Sequence, residues 1–146
     1  MQVATSTSLL LDRVHAALIG CPAVLEAYLF GSVAREEAQP HSDIDIAVFV
    51  EPTALDRPGF GYDAELGATL QQALACSDID VVVLNNAGPV LYHRVLRDGI
   101  RVFARDLAAT TTREGNALSP YCDYLPTLQR IEALHRKRIS SGEFGR

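Results

Sequence analysis

The sequence predicts an α/β fold, because strand-like and helix-like segments alternate along the chain. Four runs are short and mostly apolar, as buried strands are. The segments around them carry apolar residues three or four positions apart, as on the buried side of a helix. In order, the predicted elements are helix 8–19, strand 25–30, helix 33–38, strand 44–50, loop 52–62, helix 63–74, strand 79–84, helix 89–97, strand 100–104 and helix 126–139.

Capping and helix-breaking residues place the ends of the early helices. Ser8 can cap the first helix, and Gly20 followed by Pro22 stops it. Residues 52–62 are rich in proline and glycine, so we expect a flexible loop there with the character of a rim or lid. Asp63 can cap the helix that follows this loop.

The last part of the chain changes character after Asp106. Residues 108–116 show no clear period, which predicts a linker or a mobile segment. Pro126 would interrupt a helix begun before it, so the last helix is predicted from about this residue onward. We therefore divide the single domain into a core, 1–106, and a linker with a C-terminal helical extension, 107–146.

Composition excludes several classes of protein. The net charge is −5, whereas a dedicated nucleic-acid binder is usually basic, so no direct contact with nucleic acid is expected. The three cysteines are isolated, which indicates neither a zinc site nor a disulfide framework and favours a reducing, cytoplasmic setting. No apolar run reaches the length that spans a membrane. The single lysine, Lys137, excludes a P-loop, which needs Gly-Lys-Ser/Thr.

Two acidic residues at the start of the strand at 44–50 are the first sign of a functional site. Asp43 and Asp45 share one face of that strand, because successive side chains alternate. Adjacent carboxylates repel each other and are costly to desolvate, so a divalent metal ion is the natural species between them. Gly31 and Ser32, which follow the previous strand, suit a phosphate, since glycine permits close approach to the backbone.

These elements together resemble a known signature. Gly-Ser, ten residues and then Asp-x-Asp is similar to the motif of the minimal nucleotidyltransferases of the polymerase-β-like superfamily. The length and layout of the chain resemble those of the MntA-like antitoxins, which pair with HepT-like HEPN toxins. The residues that carry the resemblance are Gly31, Ser32, Arg35, Ser42, Asp43, Ile44 and Asp45.

The resemblance implies a fold and a set of metal ligands. The fold would be a mixed sheet of about four strands flanked by helices, the polymerase-β-like nucleotidyltransferase core, with a C-terminal helix. Two Mg²⁺ ions would lie at Asp43, Asp45 and a third carboxylate from the next strand. Alternation allows either Asp78 or Asp80 as this third ligand, and the resemblance favours Asp80, which directly precedes an apolar run.

The resemblance also implies a nucleotide site, with ATP as the substrate. Ser32 would bind the β- and γ-phosphates, and Gly31 would make room for them. Arg35 would reach a phosphate, although a surface salt bridge is nearly as well supported by the sequence alone. Ser42 would shape the turn into Asp43 by a local hydrogen bond and completes the predicted nucleotide-binding set.

Three classes of function remain at this stage. The first, which the resemblance favours, is an antitoxin that transfers AMP from ATP to a tyrosine of a HEPN-type RNase toxin. The second is a nucleotidyltransferase that modifies a small molecule such as an antibiotic. The third is a non-catalytic antitoxin that only binds its toxin, although such a protein would be expected to lose the carboxylates.

Overall fold

Four strands and six α-helices make up the part of the chain that the computed structural model describes, namely residues 2–34, 43–56 and 61–140. A short 3₁₀ turn, Leu84–Asn86, follows the third strand. The other elements are α1 (Gln2–Ile19), β1 (Val24–Phe30), α2 (Gly31–Ala34), β2 (Ile44–Val50), α3 (Pro52–Leu55), α4 (Tyr62–Leu74), β3 (Ile79–Val83), α5 (Pro89–Asp98), β4 (Ile100–Ala104) and α6 (Leu107–Ser140).

The strands form one mixed sheet in the order β3-β2-β1-β4. Strand β1 runs antiparallel to both β2 and β4, whereas β2 and β3 are parallel. The α/β class and the predicted four-stranded mixed sheet are therefore confirmed. Strands β3 and β4 are the two edges of this sheet.

Alternation along the strands divides the side chains between two faces. On the back face, Leu29, Ile46 and Val48 are fully buried under α1 and α4. On the front face, Tyr28 and Ala47 pack against residues of α5 and α6. Because Asp45 lies two residues before Ala47, it belongs to the front face as the alternation predicted.

Helix α4 has the predicted apolar stripe but begins differently. Its residues Leu66, Leu70 and Leu74 are buried. The N-cap is Gly61, at a φ of 95°, and no side chain caps the helix, so Asp63 lies in the first turn and the predicted Asp63 cap is wrong. A side chain at Gly61 would crowd the Asp63 carboxylate, which favours glycine at this entry.

The loop predicted over 52–62 is partly helical. Proline at the first position of a helix loses no hydrogen bond, and Pro52 accordingly opens α3. Residues 57–60 lie outside the described part of the chain. Helix α2 begins at Gly31 instead of the predicted Val33, and the rest of the predicted helix, 35–38, also lies outside the described residues.

Helix α6 corrects the prediction of a linker over 108–116. The whole segment is helical, and α6 continues through Pro126 to Ser140, 34 residues in all. Thr110 is fully buried against β1, so contacts with the sheet stabilise a segment that has little periodicity of its own. Among the helices that the structure describes, none is long and apolar enough to cross a membrane.

Candidate functional site

A row of residues crosses the front face of the sheet at the level of Asp45. Asp45 is paired with Phe30 of β1 on one side and with Asp80 of β3 on the other. Because neighbouring strands lie about 4.8 Å apart, the backbones that carry the two aspartates are adjacent. Asp43 precedes β2 by one residue on the same side as Asp45. The sheet thus brings three predicted carboxylates to one region.

The electrostatics of this carboxylate row, Asp43, Asp45 and Asp80, follow from its geometry. Asp43 and Asp80 are exposed, whereas Asp45 is half-buried. Burial raises the pKa of the Asp45 carboxyl, and the negative charges of Asp80 and then Asp43 raise this pKa further. The row therefore carries a repulsion that a cation would relieve.

Gly31 lies against the carboxylate row from the end of β1. Its φ is 77°, a conformation that residues with a side chain rarely adopt. A Cβ atom at this position would overlap the carboxylate of Asp45. Glycine is thus favoured here by the backbone conformation and by the neighbouring aspartate, whose side chain would have to shift for any other residue, which is a physical reason for the Gly-Ser junction that the sequence did not reveal.

The remaining predicted site residues are placed to different extents. Ser32 is the second residue of α2, whereas Arg35 and Ser42 lie outside the described residues. Asp78 lies just before β3, where its backbone carbonyl accepts a hydrogen bond of 2.8 Å from the amide of Ile44. Asp80, not Asp78, is the register partner of Asp45 and contributes to its raised pKa.

The donor chemistry of the carboxylate row fits Mg²⁺, although the row is not a preformed cage. Carboxylate oxygens are the protein ligands that Mg²⁺ prefers, and mutual repulsion marks the place where a cation stabilises the site. Within residues 2–34, 43–56 and 61–140, no group of three His, Cys, Asp or Glu side chains is gathered closely enough to hold a metal ion. Mg²⁺ usually keeps several waters and shares phosphate ligands, so such a cage is not required.

A second polar cluster, which the sequence-based predictions did not include, lies on the front face near the start of β1. Glu26 of β1 is fully buried. Nε of Arg113 donates to both carboxylate oxygens at 3.0 and 2.9 Å, and Nη2 of Arg113 donates to Oε1 at 2.6 Å. The hydroxyl of Thr110 donates to the same carboxylate at 3.1 Å. This buried ion pair attaches α6 to the sheet.

Further contacts around this pair extend the attachment of α6. The hydroxyl of Tyr28 donates to Glu114 at 2.7 Å, and Arg101 pairs with the same carboxylate at 2.9 Å. The guanidinium of Arg113 also lies 5.1 Å from the centre of the Phe49 ring. Glu26 is the feature of the sequence that could have predicted this ion pair. An acidic residue inside an apolar strand needs a basic partner from elsewhere in the chain when it is buried.

Comparison with solved structures adds three similar complexes. The chain matches a "toxin-antitoxin with AMP-PNP" at 25% identity and a TM-score of 0.61, over 91% of this chain and 98% of that one. It matches the structure of a "tri-AMPylated Shewanella oneidensis HEPN toxin in complex with MNT antitoxin" at 25% identity and a TM-score of 0.58, over 94% and 98%. A "toxin-antitoxin MntA-HepT" complex matches at 25% identity and 0.58, over 93% and 98%.

Comparison of sequences gives the family. No curated protein matches the chain significantly. The model of the family described as "Polymerase beta, Nucleotidyltransferase" matches residues 14–108, which is more than half of the chain and includes the carboxylate row and Gly31. The chain belongs to the polymerase beta nucleotidyltransferase family.

Proposed function

We propose that this protein is an antitoxin that transfers AMP from ATP to a tyrosine of a HEPN-type toxin and so neutralises it. One observation carries the proposal. The carboxylate row lies beside Gly31 in a chain whose fold matches those of antitoxins solved with their toxins, one of them with a tri-AMPylated toxin and another with AMP-PNP. The proposed setting is the cytoplasm, where ATP and the toxin would both be present.

The proposed reaction needs positioning more than covalent chemistry. The tyrosine oxygen attacks the α-phosphorus of ATP, the bond to pyrophosphate breaks, and the phenolic proton is released. Asp43, Asp45 and Asp80 would hold two Mg²⁺ ions, which when bound neutralise the charge that develops on the phosphates. Gly31 and Ser32 would bind the β- and γ-phosphates at the start of α2, with Arg35 reaching a phosphate and Ser42 shaping the turn into Asp43.

The effect on the toxin follows from charge and size. AMP on a tyrosine near the RNA-binding surface would place a bulky phosphodiester with a negative charge where an anionic substrate must bind. Because the modification is covalent, the toxin would remain inactive after the two proteins separate.

Calorimetry on the purified protein tests the nucleotide and metal parts of this proposal. A non-hydrolysable ATP analogue should bind with Mg²⁺ present and bind at least tenfold more weakly in EDTA, because the carboxylate row alone repels a polyphosphate. Asp43→Ala should lose the effect of Mg²⁺, whereas Asp12→Ala, which removes an exposed acid of α1, should bind as the wild type does. Equal affinity with Mg²⁺ and in EDTA would refute the metal role.

Neutralisation in cells tests the antitoxin part. Co-expression with the cognate toxin should restore growth for the wild type and for Asp12→Ala, and should fail for Asp43→Ala. Full protection by the Asp43→Ala protein would leave a non-catalytic, binding antitoxin as the correct function. AMP transfer to a small molecule with no effect on any toxin would instead support the antibiotic-modifying class.

A further inference from the structure

We propose that the acceptor segment of the partner pairs as an extended strand along the outer edge of β3, which places its tyrosine on the front face beside Asp80. This inference rests on the proposed function and names the route by which the acceptor enters. It follows from the position of β3, from the difference between the two edges of the sheet, and from the alternation of side chains along a strand.

Strand β3 lies directly beside the carboxylate row. Strand β3 is an edge of the sheet and carries Asp80, which lies in register with Asp45. Among the described residues, β3 is paired with β2 on its inner side, and α4 packs on its back face. Its outer edge therefore leads directly to the carboxylate row, where the acceptor hydroxyl must arrive.

The two edges of the sheet differ in how they are protected. Natural sheets blunt their free edges with charged side chains, prolines or bulges, because an unprotected edge pairs with other strands. Each edge strand carries one exposed charged residue at its second position, Arg101 on β4 and Asp80 on β3, but the pairing of β4 with β1 contains a register shift. On β3, three consecutive half-buried valines, 81–83, follow Asp80, and the pairing with β2 is regular over all five residues.

The regularity of β3 matters because a bulge twists an edge away from a potential partner strand. Both pairings of β1 contain such an irregularity, whereas the pairing of β2 with β3 has none. A regular, apolar edge strand without lysine or proline is the surface that accepts an added strand in peptide recognition. The β3 edge is regular and carries Asp80 of the carboxylate row, whereas the β4 edge is irregular and carries no residue of the row.

Alternation then sets the position of the acceptor side chains. A strand added beside β3 would direct every second side chain toward the front face. A tyrosine at the level of Asp80 would reach the row, and an apolar residue two positions away would lie beside Val82 on the same face. The occupant is thus an extended, partly apolar segment that contains a tyrosine, and not a preformed helix.

Amide hydrogen exchange on the complex is the first test. The complex is formed with Asp43→Ala, so that transfer does not release the partner, and peptides that cover β3 and β4 are followed with and without the toxin. We expect slower exchange in β3 and no change in β4, which serves as the internal control. Unchanged exchange in β3 would overturn the proposal. Protection of β3 that increases with the concentration of the isolated protein, without toxin, would also overturn it, because the edge would then pair with a second copy of the protein.

An N-methyl scan of the acceptor peptide is the second test. The modified tyrosine is located by mass spectrometry of the toxin, and peptides of about nine residues centred on it are methylated at one backbone nitrogen at a time. Each lost hydrogen bond should lower kcat/KM for AMP transfer by about two- to tenfold. The losses should fall at every second position, since alternate amides of a strand face the β3 edge.

The outcomes separate this inference from the proposed function. Efficient transfer with losses that show no period of two would overturn strand pairing and leave the transfer reaction intact. Transfer to the folded toxin but to none of the unmethylated peptides would also overturn it, because the acceptor would then be recognised as part of a folded surface. No AMP on any tyrosine would refute the proposed function and remove the basis of the inference.

Discussion

Replacement of Arg113 by methionine should destabilise the protein far more than any exposed charge removal. Among the described residues, Arg113 donates three hydrogen bonds to the fully buried carboxylate of Glu26, and Thr110 donates one. Of the partners that the structure describes, Arg113→Met would leave this buried charge only the Thr110 hydroxyl. Removal of one member of a buried ion pair costs about 3–5 kcal/mol, and we expect a loss in that range.

Urea unfolding followed by circular dichroism measures this loss. Arg97→Met is the matched control, because Arg97 is 60% exposed and pairs with its sequence neighbour Asp98, so its loss should be below about 1 kcal/mol. The double variant Glu26→Leu with Arg113→Met removes both charges and should recover most of the stability. A loss below about 1 kcal/mol for Arg113→Met alone would show that this pair does not attach α6 to the sheet.

Three further predictions concern the carboxylate row and its surroundings. Gly31→Ala should lower the free energy of unfolding by at least about 1–2 kcal/mol, because the φ of Gly31 is 77° and the new Cβ would overlap Asp45. The control Gly115→Ala lies in an exposed turn of α6 with open space around it and should raise the free energy of unfolding by about 0.5–1 kcal/mol. Asp45→Asn should leave the melting temperature of the metal-free protein unchanged or higher, since it removes a carboxylate whose pKa burial and neighbouring acids raise; a clear fall would mean that Asp45 is structural. Burial, and then the charge of Glu26, raises the pKa of Tyr92 to about 12. The folded state therefore holds the phenolic proton more tightly than the unfolded state, and the stability of the wild type should fall as the pH rises from about 10 to 12. Urea unfolding at pH 9 and pH 11.5 should show a smaller fall for Tyr92→Phe, and equal falls would contradict the assignment.

The parts of the fold that depend on local pattern were predictable from the sequence. The strand at Ile44–Val50 and the buried stripe of α4 need only the periodicity of apolar residues, and both are present. The same alternation predicted that Asp43 and Asp45 share a face. Alternation alone left both Asp78 and Asp80 as candidates, the family resemblance favoured Asp80, and the register of β2 with β3 pairs Asp80 with Asp45.

The parts that depend on distant contacts were not predictable from local pattern. The first turns of α6 look like a linker because they are polar, and the residue that Thr110 and Arg113 bind, Glu26, lies more than 80 positions away in the sequence. Gly31 was interpreted as room for a phosphate, but a side chain at this position would also crowd Asp45, a neighbour that only the folded sheet supplies. In each case, the partner that explains the residue lies on another strand or helix.

In the proposed reaction, the protein uses its carboxylate row to transfer AMP from ATP to a tyrosine of the partner toxin. Intact-mass and peptide mass spectrometry of the toxin, purified after co-expression, tests this claim most directly. Toxin from cells with the wild-type protein should carry added mass in whole AMP units, located on tyrosine. Toxin from cells with Asp43→Ala should carry none, although it should still co-purify with that variant. A toxin that is unmodified yet fully inhibited by both proteins would contradict the account.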